Sequence, residues 1–300
     1  MRVGIALPVA EDEAYRATPY RDLRELVLTA EAAGLDSVWA ADHLFYQPSD
    51  NPPRGFWESW TLMSALAEAT SRVELGHLVL CVPFRSPGLL AYMANTFEEV
   101  SDGRLVLGLG SGWHEPEFRA FGFEFARRVS YFEDSLEVLL PLLREGRVQY
   151  SGRLLSADGQ LSPRGPPESG PPILIASKAP RMQRLAARHA DRWNTAWYAL
   201  PREPFWERRN GLWAACREVG RDQAEIEITV GLLVNDESVI DDENRERVLL
   251  AEVAVLEDAF AAWQEHGVAK VMCRMEPSTP AMVERVARAA EIVRGAAAVQ

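Results

Sequence analysis

The chain has 300 residues, 47% hydrophobic and 25% charged, which is ordinary for a globular protein and long enough for one large α/β unit. Its formal charge of −12 argues against nucleic-acid and anionic-membrane partners, which call for a basic face. The three cysteines, Cys81, Cys216 and Cys273, lack metal-ligand spacing, and no stretch approaches the ~20 apolar residues of a membrane span, so reduced thiols, no membrane contact and a cytoplasmic location are expected.

Apolar runs alternate with amphipathic stretches along the chain. Val3–Leu7 reads as a strand, and Tyr20–Ala33 as a helix with Leu23, Leu26, Val27 and Ala30 on one face, stopped at Gly34. The strand Ser37–Ala40, the helix Phe56–Ala69, the strand Val73–Leu80 and the helix Gly88–Val100 follow. The strand Leu105–Leu109 precedes a helical region clearest over Tyr131–Leu143. Residues 148–172, rich in glycine and proline, predict a hairpin and loop across the surface rather than a domain linker, because the alternation then resumes. It continues through Ile173–Ala176, Pro180–His189, Arg192–Trp197, Pro204–Val219, Ile226–Leu233, Leu249–His266, Val271–Met275 and Pro280–Val293. Strict alternation implies parallel strands with right-handed crossovers, and repeated this often it favours closure into a (β/α)8 (TIM) barrel, one domain over 1–300, above an open doubly wound sheet.

In such a barrel the chemistry lies just after the strands' C-terminal ends. Strand two leads into Asp42-His43, a carboxylate beside an imidazole that would orient a general acid or base, although a capped loop histidine has the same local sequence. Strand three leads into a proline turn, PFRSP. Strand four ends in Gly110-Ser111-Gly112-Trp113, whose glycines allow backbone N–H groups to approach a ligand; the glycine spacing does not fit a dinucleotide fingerprint. Strand five gives Ala176-Ser177-Lys178-Ala179-Pro180, where a helix N-terminus, a hydroxyl and one of the chain's two lysines would form a phosphate cradle, or an ordinary βα turn. Arg127 and Tyr131, four apart on a helix, would reach the same anion. His77, His189 and His266 read as structural, His114 as a secondary candidate at the mouth. Metal-site, nucleophile-elbow and P-loop patterns are absent from the sequence. The acidic stretch Asp236–Glu246 reads as a solvated loop, with a mobile lid as the alternative, and Trp39, Phe45, Trp57, Trp113 and Trp197 are aromatic candidates for the mouth.

Asp42-His43, PFRSP at 83–87, SDGRLVLGLGSGW at 101–113 and ARHADRWNTAW at 187–197, in this order, resemble the luciferase-like monooxygenases, most closely the branch using the deazaflavin coenzyme F420. The resemblance implies a cofactor phosphate at Ser177, Lys178, Ala179 and Pro180, and Ser111, Gly112 and Trp113 flanking the cofactor. It also implies a non-proline cis peptide at Leu78–Val79 behind the cofactor ring, and His43 as acid/base with Asp42 beside it. Trp113 stands where the sugar-phosphate dehydrogenase branch has a glutamate. The activity so implied is hydride transfer between F420 and a small organic substrate. The alternatives are a two-component monooxygenase using FMNH2 from a separate reductase, and a non-catalytic flavin-binding barrel. A homodimer is the expected assembly.

Overall fold

The computed structural model describes residues 1–48, 51–165, 169–240 and 245–297. The barrel strands are β1 (Arg2–Ala6), β2 (Ser37–Ala40), β3 (Glu74–His77), β4 (Leu105–Gly110), β5 (Ile173–Ala176), β6 (Arg192–Tyr198), β7 (Glu227–Asn235) and β8 (Val268–Glu276). Every neighbouring pair is parallel, from Gly4 opposite Ser37 around to Ile228 opposite Val268, and Arg2 opposite Lys270 closes the ring. Strands covered on both faces must be apolar throughout, which is why Leu105–Gly110 is buried at every position.

The outer helices are α1 (Tyr20–Ala32), α2 (Ser59–Ala69), α3 (Pro87–Ser101), α4 (Arg128–Glu145), α5 (Pro180–His189), α6 (Glu203–Val219), α7 (Val253–Glu265) and α8 (Pro280–Ala297). The stripe read from the sequence of α1, Leu23, Leu26, Val27 and Ala30, is the face it buries. No helix of the described residues is long and apolar enough to cross a membrane.

Several boundaries differ from the sequence reading. The second helix starts at Ser59, not Phe56, because the Glu58 side chain caps it, accepting from the N–H groups of Trp60 and Thr61. The third strand stops at His77 and resumes at Leu80–Cys81, which pairs with Leu109–Gly110. Leu249–Leu250 is extended against β7 rather than helical, and α7 begins only at Val253. A short helix at Glu115–Phe121 and a two-residue hairpin, Phe45–Tyr46 against Arg54–Gly55, were unforeseen. Within 148–172 the hairpin is Arg147–Ser151 against Ser156–Gln160; residues 166–168 lie outside the described residues. The acidic stretch after β7 begins with a turn at Glu237–Val239 capped by Asp236, and its residues 241–244 also lie outside them.

The barrel is filled, not hollow. Trp39, Val106, Leu174 and Met272 point inward from four strands, with Leu78 and Val79 packed against them. Trp39, an aromatic candidate for the mouth, is therefore core: a Cβ at Gly76 would lie 2.3 Å from its ring, so β3 carries glycine there. Beneath, at the strands' N-terminal ends, the fully buried Lys270 pairs with Glu74, which also accepts two hydrogen bonds from Arg192 at 3.0 and 3.1 Å, while Arg2 holds Glu227. Burial pushes the Glu74 carboxyl up, but Lys270 and Arg192 outweigh it and hold the group at about 2. This ionic floor closes the lower end.

On α3, Glu98 accepts from Leu105 N–H at 2.8 Å with one oxygen and has no partner for the other, and burial pushes its carboxyl from 4.5 up to about 7. The folded chain therefore holds this proton more tightly than the unfolded one. The associated stability is complete below pH 4.5 and lost as pH rises through 7. Glu98→Gln is expected to match the wild type near pH 4.5 and to exceed it at pH 8 by up to about 3 kcal/mol at ~1.4 kcal/mol per pKa unit, measured by denaturant unfolding. Comparing the two proteins at each pH removes the opposing contribution of His77, whose buried ring titrates at about 4.

Candidate active site at the barrel mouth

The loops after β2 to β6 meet over the upper layer of the core. After β3 the Leu78–Val79 peptide is cis, as is Ala196–Trp197 within β6. After β4 the chain turns through Ser111, Gly112 at φ +77°, and Trp113. A Cβ at Gly112 would sit 2.6 Å from Phe118 and 2.7 Å from the Cys81 sulfur, so only glycine fits that turn. The helix Glu115–Phe121 follows and directs its buried Glu117 back toward β2.

That carboxylate is the partner of His43. Glu117 Oε2 lies 2.8 Å from His43 Nδ1, while Oε1 accepts from Leu44 N at 2.5 Å and Phe45 N at 3.2 Å. An ionised carboxylate can only accept, so Nδ1 carries the hydrogen and Nε2 is left as the open nitrogen. Asp42, adjacent in sequence, does not orient the imidazole. Its oxygens take both Arg85 nitrogens at 2.6 and 2.9 Å, Ser59 Oγ at 2.7 Å and Cys81 N at 2.8 Å. Burial pushes the Asp42 carboxyl up, but the Arg85 hydrogen bonds and charge outweigh it and hold it below its usual range. Asp42 ties the β2 and β3 loops together; Glu117 serves the histidine.

At the strand-five turn the buried Ser177 accepts the Trp193 indole N–H at 2.8 Å, and Pro180 opens α5, whose first N–H groups have no acceptor within the helix. Lys178 is exposed beside this turn. Partial burial, with Arg208 and Arg247 nearby, pushes its ammonium below the usual lysine range, the behaviour of a cation among cations. Among the described residues no carboxylate pairs with Lys178, Arg208 or Arg247.

The mouth divides into two chambers. One, of about 390 Å3, is lined by Asp42, His43, Leu78, Val79, Ser111, Gly112, Trp113, Glu117, Ala176, Ser177, Lys178, Ala179 and the β6 segment Asn194–Trp197. The other, of about 450 Å3, is bounded by the loop after β1 and the paired strands Phe45–Tyr46 and Arg54–Gly55, with Glu11, Tyr46, Arg54, Phe56 and Arg274 in its walls. His43, Leu78, Trp113 and Trp197 face both. A broader hollow of about 810 Å3 at the N-terminal end, around Arg144, Asp191 and Trp213, is far from these loops and lies on the face that barrel enzymes use for stability.

The sequence-derived residues Asp42, His43, Leu78, Val79, Ser111, Gly112, Trp113, Ala176, Ser177, Lys178 and Ala179 thus surround one space. Pro180 stands behind them as the first residue of α5, outside the lining. Tyr131 is also outside: its hydroxyl donates to the Arg85 carbonyl at 3.2 Å, and Arg127 pairs with Glu124, and neither lines the chamber. His114 is neutral by role, its Nε2 accepting from Gln47 N at 3.2 Å, with burial pushing its pKa down. His77 is enclosed and stacked on Trp60 at 5.0 Å, and Trp57 is exposed, its indole donating to the Thr18 carbonyl at 2.8 Å. Glu117, Arg54 and Arg274 were missed. In the sequence Glu117 lies in a stretch assigned no element, and nothing local pairs it with a histidine 74 residues away.

The sequence profile of the luciferase-like monooxygenases matches residues 1–299. Pyrimidine monooxygenase RutA from Methylorubrum extorquens is 32% identical over 210 residues, 64% of this chain and 54% of that protein. An F420-dependent glucose-6-phosphate dehydrogenase from Amycolatopsis mediterranei is 33% identical over 176 residues, 57% of this chain and 52% of that one. The chain thus spans about half the length of these curated relatives. An F420-dependent secondary alcohol dehydrogenase, solved with an F420–acetone adduct, superposes with a TM-score of 0.78 at 17% identity over 97% of this chain and 98% of that one, a likeness of fold.

Proposed function

The chain belongs to the luciferase-like monooxygenase family, and from that premise we propose an oxidoreductase that holds coenzyme F420 in the chamber between β3 and β6 and moves a hydride to or from a small organic substrate. The observation that carries this reading is the His43–Glu117 pair at the junction of the two chambers. Oxidising an alcohol carbon, or reducing a carbonyl, requires a proton acceptor or donor at the oxygen, and an imidazole fixed by a buried carboxylate is suited to that task.

The chamber suits such a cofactor. A planar ring needs an apolar floor, which Leu78, Val79 and Ala176 supply, and a phosphate needs a cation and free N–H groups, which Lys178 and the start of α5 supply. When bound, F420 supplies the two-electron hydride chemistry. His43 Nε2 takes the proton of the substrate hydroxyl in oxidation, or returns it to the carbonyl oxygen in reduction. Glu117 holds the ring and stabilises the imidazolium that forms between these events. Trp113 and Trp197 stand at the junction and flank the place where the substrate would meet the ring.

Lys178→Ala tests the phosphate seat. Loss of a charge-assisted contact is expected to weaken F420 binding about tenfold or more, while leaving the binding of a phosphate-free deazaflavin unchanged. Equal weakening of both molecules would remove the phosphate from this turn. FMN, which presents the same ring and phosphate pattern, is the second cofactor to titrate, and tight FMN binding with no F420 binding would move the reading to a flavin-dependent monooxygenase.

A further inference from the structure

The second chamber has an electrostatic character that the reading above leaves unused. Arg54 enters it from the hairpin strand and Arg274 from near the end of β8. Among the described residues neither guanidinium makes an ion pair or a side-chain hydrogen bond. Buried and half-buried arginines elsewhere are engaged, Arg85 with Asp42 and Glu58, Arg192 with Glu74, and Arg104 with five backbone and hydroxyl oxygens, whereas exposed ones such as Arg24, Arg119 and Arg153 are not among the described residues; what sets Arg54 and Arg274 apart is that both line one chamber. The one carboxylate in the chamber wall, Glu11, accepts from Gly55 N at 2.7 Å and forms no ion pair with either arginine among the described residues.

We propose that this chamber seats the substrate and that the substrate is an organic acid, an apolar or aromatic body whose single carboxylate is held by Arg54 and Arg274. The assignment of the neighbouring chamber to the cofactor is the only point at which this rests on the proposed function. Guanidinium groups match carboxylate geometry with paired hydrogen bonds. Two arginines against one glutamate leave the chamber with one net positive charge, complementary to a monoanion, and Glu11 repels a second negative charge on the ligand. Tyr46, Phe56, Trp113 and Trp197 provide the apolar walls for the body of the molecule. An acid seated there has its far end beside His43, Trp113 and Trp197, the residues both chambers share, so the carboxylate end is the handle and the opposite end is the reacting one.

The test is calorimetric titration of the full chain with matched pairs: benzoate and benzamide, phenylacetate and phenylacetamide, hexanoate and hexanamide. At least one acid is expected to bind roughly tenfold or more tightly than its amide, the value of a charge-assisted pair. The double variant Arg54→Gln/Arg274→Gln is expected to lose that preference, to retain amide binding, and to retain the wild-type far-UV circular dichroism. No binding by any acid, equal affinities within every pair, or a preference that survives the double variant overturns the proposal. F420 and FMN are titrated separately against both proteins. Failure of both cofactors to bind, with the acid preference present and lost as expected, would end the cofactor reading and leave the acid seat standing.

Discussion

Replacing His43 by alanine is expected to lower kcat by about 100- to 10,000-fold on any substrate the enzyme turns over, the range for removing a positioned acid/base group. Cofactor affinity should be retained, because Lys178 and the apolar floor remain. Glu117→Gln is expected to cost about 10- to 100-fold, since an amide still fills the space and accepts one hydrogen bond but no longer stabilises an imidazolium. Full turnover by His43→Ala with normal cofactor binding would show that the imidazole moves no proton in the reaction and would end its acid/base role.

Asp42→Ala is expected to destabilise the fold by about 3–5 kcal/mol, the cost of breaking a buried ion pair from one side. The substitution strips Arg85 of its bidentate partner and leaves Ser59 Oγ and Cys81 N without their acceptor, with only the partly exposed Glu58 remaining for the guanidinium. Urea unfolding at pH 7 measures it directly. Because the folded carboxyl titrates below the usual 3.8, this contribution is intact above that pH and fades as the solution becomes more acidic. A loss below about 1 kcal/mol would mean that Glu58 alone suffices to hold Arg85, as for an exposed pair. The contrast with Glu117→Gln is informative, since Asp42 is expected to govern the fold and Glu117 the proposed chemistry of His43.

The barrel was legible because its strands and helices each have a strong local signature. Parallel strands buried on both faces leave continuous apolar runs such as Leu105–Leu109, and the stripe Leu23, Leu26, Val27 and Ala30 gives the face of α1 directly. Strand ends then marked the mouth and pointed to Asp42-His43 and to the turns after strands four and five, while Leu78 and Val79 entered through the family resemblance. Pairing inside the mouth was not legible. Asp42 and His43 are neighbours in sequence, and adjacency suggested a pair, but successive residues leave the strand in different directions. The true partner of His43 comes from a short helix 74 residues away. The same limit hid the ionic floor, where Lys270, Glu74 and Arg192 come from three separate strands and meet only when the sheet closes. Arg54 and Arg274 converge on one chamber for a comparable reason: a loop hairpin and the last strand have no shared sequence pattern.

What the chamber beside Lys178 binds decides both the cofactor and the chemistry. Titrating the purified chain with F420 and with FMN in parallel, each oxidised and reduced, is the decisive measurement. It is expected to give saturable binding of F420 at one site per chain, with quenching of tryptophan fluorescence as the ring settles beside Trp113 and Trp197. Failure of both molecules to bind in either redox state would contradict the assignment of that chamber and of the chemistry drawn from it.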